Sequence, residues 1–324
     1  MTTLSVIICA HTEERYDDLN EAVESLQQQT VKPLETIVAI DHNPALFERV
    51  SKKWAGHADV VIIENTQERG LSGARNSGIS VAKGDVIGFL DDDAVAVQGW
   101  VEAIMTGYAD PNVAGIGGKI DPLWLTEQPG WFPTEFNWVV GCTYTGMPEE
   151  TAPVRNLIGA NMSFRREVFD TIGDFRTGMG RVDSLPVGCE ETEICIRYHQ
   201  AKPGEVFLYN PNAKVQHKVP GKRANWSYFR SRCFYEGRSK AMVSQMVGSS
   251  DGLSSERAYT MRVLPLGVLR GLRDAILKFD LSGLGRASAI VIGLFTTGFG
   301  YLRGARKPIA ASESSRWARS EPTQ

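Results

Sequence analysis

Val86-Ile87-Gly88-Phe89-Leu90-Asp91-Asp92-Asp93 is the stretch whose reading decides the fold. Five residues, mostly apolar, follow Gly84-Asp85 and run into three consecutive carboxylates. A short apolar run bounded in this way predicts a strand buried in a parallel sheet. The triplet then lies at the C-terminal end of that strand, the edge where open α/β sheets bind ligands. Acids this close repel one another unless a cation neutralises them. A hard divalent cation shared with a phosphate-bearing ligand does so, since Mg²⁺ is usually held by one or two carboxylates plus substrate phosphates. The plain alternative is an acidic turn in solvent.

Upstream, strand and helix alternate. Leu4-Ser5-Val6-Ile7-Ile8-Cys9-Ala10 reads as a strand ending in the polar turn His11-Thr12-Glu13-Glu14. Leu19, Ala22, Val23 and Leu26 recur at helical spacing and predict a helix from Asp17 to Gln29. Strands are expected at Thr36–Ile40 and Val60–Ile63, and a helix from Leu71 to Ala82. Such alternation implies right-handed βαβ units around a parallel sheet. Asp41 and Asp91 to Asp93 both fall just past strand ends, so they can face one ligand.

The common phosphate loops are missing. No G-x-G-x-x-G follows the first strand and no G-x-x-x-x-G-K-[ST] occurs. Gly115-Ile116-Gly117-Gly118 reads as a glycine-rich turn. Phosphates must then be held by metal and side chains. A net charge of -3 gives no basic bias toward nucleic acid. Five scattered cysteines without a CxxC pair signal neither zinc nor a disulfide framework, which suits a reducing cytoplasm. The start of the chain has no secretory pattern, so a cytoplasmic location is expected.

The ordered set Ser5-Val6-Ile7-Ile8, Asp41, Gly70 to Gly78, Gly84 to Asp93, Gly159 to Arg166 and Gly188 to Arg197 resembles the family 2 glycosyltransferases. The match spans roughly residues 4 to 240. The resemblance implies a GT-A fold: an α/β, Rossmann-like, mostly parallel sheet flanked by helices. It implies an inverting enzyme that moves a sugar from a nucleotide sugar to an acceptor hydroxyl. The expected division is a nucleotide-sugar half over 1–115, an acceptor and catalytic-base half over 116–240, a helical extension over 241–307 and a disordered tail over 308–324.

The resemblance also assigns residues. Ala10, His11, Thr12 and Glu14 would border the nucleobase and Asp41 would hydrogen-bond it, helix capping being the alternative for Asp41. UDP is favoured, with dTDP and GDP behind it. Arg75 and Asn76 would lie beside the nucleotide, or simply be solvated on a helix surface. Asp91 would reach the ribose or a metal-bound water. Asp93 would ligate Mn²⁺ or Mg²⁺, with Asp92 as the alternate. Glu191 is the expected catalytic base, its pKa raised by Glu190 and Glu193; the alternative for these acids is a favourable place at a helix N-terminus. His217, at the end of a strand, would complete the metal site, where imidazole favours Mn²⁺ over Mg²⁺, or be structural. Arg232 would touch the diphosphate from a flexible loop. Gly159, Asn161 and Glu190 would border the acceptor, with Trp124, Trp131, Phe132, Phe136, Trp138 and Tyr144 as stacking faces.

Val263 to Phe279 reads as an amphipathic helix with basic residues. Ala287 to Leu302 is 16 residues without charge. At about 1.5 Å per residue it reaches roughly 24 Å, short of the ~30 Å hydrocarbon core. With Gly293, Gly298 and Gly300 inside, it is expected to form an interfacial or re-entrant hairpin whose basic flanks meet anionic lipid. A buried core helix or a dimer interface is the alternative. Peripheral membrane contact, at the inner face of the cell membrane, would suit a glycan or polyprenyl-linked acceptor. Two other functions share these features: a nucleotidyltransferase, which normally carries a glycine-rich loop with lysine near its start, and a non-catalytic carbohydrate-binding homologue.

Overall fold

The computed structural model describes residues 2–178, 188–248 and 259–306. The expected tail at 308–324 lies outside the described residues. The chain divides into two compact units, each discontinuous in sequence. One comprises the residues up to 120 with 148–217; the other comprises 121–147 with the described residues from 218 onward.

In the first unit the stretch up to Asp91 follows the sequence pattern closely. Strands β1 (Leu4–Ala10), β2 (Glu35–Ile40), β3 (Val60–Glu64) and β4 (Val86–Asp91) pair in parallel in the order β3-β2-β1-β4. Helix α1 (Tyr16–Gln27) buries Leu19, Ala22, Val23 and Leu26, the stripe its periodicity predicts. Helix α2 (Pro44–Trp54) opens with Asn43 accepting from Leu46 N–H and with Pro44 in its first turn. Helix α3 (Leu71–Val81) lies close against β1: a Cβ on Gly78 would stand 2.7 Å from Ile7 Cγ2.

Beyond β4 the sheet becomes mixed. It continues through β5 (Ala94–Ala96), helix α4 (Trp100–Gly107), β6 (Val113–Trp124), β7 (Ala152–Val154), β8 (Asn161–Arg165), helices α5 (Arg166–Ile172) and α6 (Glu190–Ala201), and β9 (Val206–Val219). The full order is β3-β2-β1-β4-β8-β6-β9-β5, with β7 also on β9. β8 runs antiparallel to both β4 and β6, and β5 and β7 run antiparallel to β9. Phe89 packs edge-on against Phe164, Phe169 and Phe175 in a core shared with Ile7, Ile87, Met162 and Ile194.

Gly115 to Gly118 form no turn; they lie inside β6. Their small size serves strand packing. A Cβ on Gly118 would stand 1.7 Å from the Ala213 carbonyl oxygen, and one on Gly115 would stand 2.7 Å from that of Ser163. Glycine inside a strand marks such close backbone approach.

The second unit holds a 3₁₀ stretch (Thr134–Val140) and helices α7 (Trp226–Val247), α8 (Leu264–Leu277) and α9 (Ser282–Ala305). The segment carrying Arg232 is helix, not loop. Asn225 caps it by accepting from Tyr228 N–H, and Phe229 is fully buried. Of the aromatic residues expected to stack on an acceptor, Phe132 and Phe136 are buried in this unit's core, while Trp124, Trp131, Trp138 and Tyr144 are half-buried. Trp131 stacks on Trp226 at 4.1 Å, and Phe132 and Phe136 pack on Phe229.

The expected re-entrant hairpin is a continuous helix, α9. Gly293 and Gly300 permit close packing, and no glycine breaks the helix. A Cβ on Gly300 would stand 2.1 Å from the Phe234 carbonyl oxygen, and one on Gly293 2.4 Å from the Phe136 ring. Among the described residues no helix is long and apolar enough to cross a membrane.

Candidate active site

The Asp triplet closes β4 at the sheet edge the sequence predicts. Asp91 is half-buried, while Asp92 and Asp93 are each 4 % exposed. β5 follows at once and pairs antiparallel with β9, setting Ala94 opposite His217. That register brings the imidazole beside the triplet, with His217 Nε2 3.1 Å from Asp93 Oδ1. One ligand atom each from Asp91, Asp93 and His217 lie within 4.8 Å of one another. The histidine is not the last residue of its strand, which runs on to Val219.

Arg15, which the sequence reading missed, answers part of the negative charge. Its Nη1 lies 2.6 Å from Asp92 Oδ1 and 3.2 Å from Asp93 Oδ2. Arg15 ends the short 3₁₀ turn after β1 (Glu13–Arg15), and β1 and β4 are neighbours in the sheet. The available signal was topological: a cation in the loop after the strand beside three uncompensated acids. Asp92 Oδ2 is buried without a hydrogen-bond partner. Burial pushes the Asp92 carboxyl up to about 7; Asp93 and Asp91 add to the rise and Arg15 opposes it.

Asp41 is buried just past β2, and its carboxylate is engaged. It accepts from Asn65 Nδ2 at 2.6 Å and Gly70 N–H at 2.9 Å, and lies 2.8 Å from His42 Nδ1. Asn43, not Asp41, caps the following helix. His42 has φ +51°, a left-handed conformation uncommon outside glycine. Of the first turn, Ala10 is buried, and His11 and Glu14 are exposed. Thr12 caps the 3₁₀ turn by accepting from Glu14 N–H.

Arg75 and Asn76 are neither solvated nor open. Asn76 clamps Phe175, donating to its carbonyl at 2.8 Å and accepting from its N–H at 3.1 Å. Arg75 is 2 % exposed, and its Nη1 donates to Glu190 Oε1 at 2.8 Å. Gly159 packs on the same guanidinium; a Cβ there would stand 2.9 Å from Nη2. Asn161 is fully buried. Its amide donates to the Ala213 and Lys119 carbonyls and accepts from Trp100 Nε1, which ties strands together instead of facing an acceptor.

Helix α6 opens on Cys189, left-handed at φ +76°, and places Glu190, Glu191 and Glu193 in its first turn. Glu190 and Glu193 are buried. Arginines neutralise both: Arg75 holds Glu190, while Arg176 and Arg197 hold Glu193 at 3.3 and 2.9 Å. Both acids that flank Glu191 in this turn are thus paired with arginine. Glu191 is the partly exposed acid of the group. Arg232 lies on α7 in the second unit, 3.8 Å from Glu236 one turn on.

The residues fit a divalent cation: two carboxylates and an imidazole converge, next to an acid oxygen that no hydrogen bond satisfies. The family model described as Glycosyl transferase family 2 matches residues 5–173. A glucosyl-dolichyl phosphate glucuronosyltransferase of Haloferax volcanii is 33 % identical over 306 residues, covering 94 % of this chain and 97 % of the relative. The mannosyltransferase PcManGT from Pyrobaculum calidifontis, solved with GDP-Man and Mn²⁺, superposes with a TM-score of 0.58. It is 17 % identical, over 94 % of this chain and 86 % of that one. GalNAc-T7, solved with UDP, GalNAc and Mn²⁺, gives 0.53 at 18 % identity, over 76 % of this chain and 51 % of that one. The fold shared with these structures is GT-A.

Proposed function

This chain belongs to glycosyl transferase family 2, and on that premise we propose that it moves a sugar from a UDP-sugar to a hydroxyl of a lipid-linked glycan, with inversion and a divalent cation. The observation that carries the proposal is the convergence of Asp91, Asp93 and His217 beside the buried, unsatisfied Asp92 Oδ2.

Asp93 and His217 would hold the cation directly, with Asp91 alongside; the imidazole favours Mn²⁺. When bound, the cation supplies charge to offset that growing on the leaving diphosphate. Asp41 and the turn Ala10, His11, Thr12 and Glu14 border the nucleotide. Asp41 already holds Asn65 and Gly70 in place, so its contact with a base works through an oxygen it shares. Glu191 is the base. Its carboxylate takes the proton of the acceptor hydroxyl as that oxygen bonds to the anomeric carbon. The bond from that carbon to the diphosphate breaks on the opposite side, which inverts the configuration. Arg75 fixes the helix that presents Glu191, through Glu190. A lipid-linked acceptor rests on the Haloferax relative, whose name makes glucosyl-dolichyl phosphate its acceptor. Such an acceptor puts the enzyme at the inner face of the cell membrane.

The test is release of nucleoside diphosphate from a panel of nucleotide sugars with Mn²⁺. One donor should turn over, lose turnover on chelation and in Asp93→Ala, and still bind Glu191→Gln without transfer. Pyrophosphate release in place of nucleoside diphosphate would overturn sugar transfer. Donor binding by the parent protein without turnover, with lipid extract present, would leave only a carbohydrate-binding role.

A further inference from the structure

Helices α8 and α9 carry an apolar face whose other side is packed. On α8, Leu264, Gly267 and Gly271 are buried, while Leu266, Leu269, Leu272 and Ile276 are exposed. On α9, Leu284, Val291, Phe295, Phe299 and Leu302 recur at helical spacing and are exposed, Phe295 to 73 %. At about 1.5 Å per residue the α9 stripe runs roughly 27 Å. The helices meet closely on their inner sides, where a Cβ on Gly271 would stand 2.6 Å from the Gly283 carbonyl oxygen. Small residues thus turn inward and large apolar ones outward.

The turn between the helices is unusual. Phe279 is 87 % exposed and has φ +55°. A bulky residue in the left-handed region is an outlier, and such strain gathers at functional positions. His42 and Cys189, the other described non-glycine residues with positive φ, both border the candidate active site.

Charge selects the occupant. Residues 259–306 hold seven Lys or Arg against two acids, Asp274 and Asp280, a net charge of +5. Both acids are paired within the helix pair, Asp274 with Lys278 and Asp280 with Arg286. Arg262, Arg303 and Arg306 are exposed. A second copy of this chain would bring a like charge against the face. An anionic lipid surface would match both its apolar stripe and its charge.

We propose that α8 and α9 form a docking surface that lies in the plane of an anionic lipid bilayer, with the Phe279 turn and the α9 stripe buried among the lipids. It rests on the lipid-linked acceptor of the proposed function, which gives such a surface its use. Because neither helix is long and apolar enough to cross, the attachment is peripheral.

The test is flotation of the full chain with vesicles of phosphatidylcholine alone and of an equal mixture with phosphatidylglycerol. The parent should float with the mixed vesicles and fall off as salt rises. Phe295→Glu with Phe299→Glu should cut partitioning at least about tenfold, and Arg262→Gln or Arg303→Gln about fivefold each. These side chains are exposed, so circular dichroism should show the variants folded. Three results would overturn the proposal: a parent that ignores mixed vesicles, glutamate variants that float as well as the parent, or a dimer by light scattering that the glutamates dissolve. Donor hydrolysis in the same preparations reads the proposed function separately. Hydrolysis without flotation sinks the surface alone; flotation without hydrolysis sinks the function alone.

Discussion

Arg75 Nη1 donates to Glu190 Oε1 across 2.8 Å, joining the helix after Gly70 to the helix that bears Glu191. The guanidinium carbon lies 5.7 and 5.4 Å from the ring centres of Phe89 and Phe175, and its Nη2 is 3.9 Å from Asp91 Oδ1. One buried cation therefore links the Asp triplet to the helix of the proposed base.

Removing that cation leaves Glu190 buried and unpaired. Arg75→Met is expected to cost on the order of 3–5 kcal/mol by urea denaturation. Arg75→Met with Glu190→Gln should recover part of the loss, because neither charge remains. A double variant no more stable than the single one would rule out the pairing as the cause.

Arg15 and a cation answer the same carboxylates. Arg15→Gln should make Mn²⁺ bind several-fold tighter by titration calorimetry, since a positive charge 3.2 Å from Asp93 Oδ2 is gone. His217→Ala should weaken Mn²⁺ at least about tenfold and Mg²⁺ less, since imidazole suits manganese better. Equal losses for both ions would remove His217 from the ligand set.

Asp92 gives the metal-free protein a pH dependence of definite sign. Its folded pKa is raised from 3.8 to about 7, chiefly by burial. The group's contribution to stability is full below about pH 4 and is lost as pH rises toward 7, with a span on the order of 4 kcal/mol. Thermal melts in chelator should therefore fall across that window, and Asp92→Asn should flatten the fall. A melt of Asp92→Asn as steep as the parent's would assign the effect elsewhere.

Two glycines in α9 predict opposite outcomes. A Cβ at Gly300 would meet the Phe234 carbonyl at 2.1 Å, while one at Gly298 meets nothing within 4 Å. Gly298→Ala should stabilise by about 0.5–1 kcal/mol, and Gly300→Ala should destabilise. Denaturation midpoints that move together would contradict the packing of α9.

What could be read before the structure follows from range. The run into Asp91 and the stripe of Leu19, Ala22, Val23 and Leu26 are local patterns, and both emerged as expected. Gly115 to Gly118 could not be read, because their neighbours are Ser163 and Ala213, distant in sequence. Arg75, Asn76 and Asn161 carried the right motifs, yet their side chains are spent inside the fold. Spacing reveals that a polar residue is placed; only the register of other strands and helices reveals what it holds. Gly293 and Gly300 misled for the same reason, being breakers by propensity and contact points by packing.

The β5–β9 register carries a consequence for how the protein is made. Position 93 leaves the ribosome 124 residues before position 217, and only β9 sets the histidine opposite Ala94. At about 5–20 residues per second, roughly 6–25 s separate the two. During that interval the acid cluster has emerged but its imidazole has not, so the nascent chain cannot yet assemble the full set of ligands. The proposed cation site is thereby complete only once the closing strand has been threaded into the sheet.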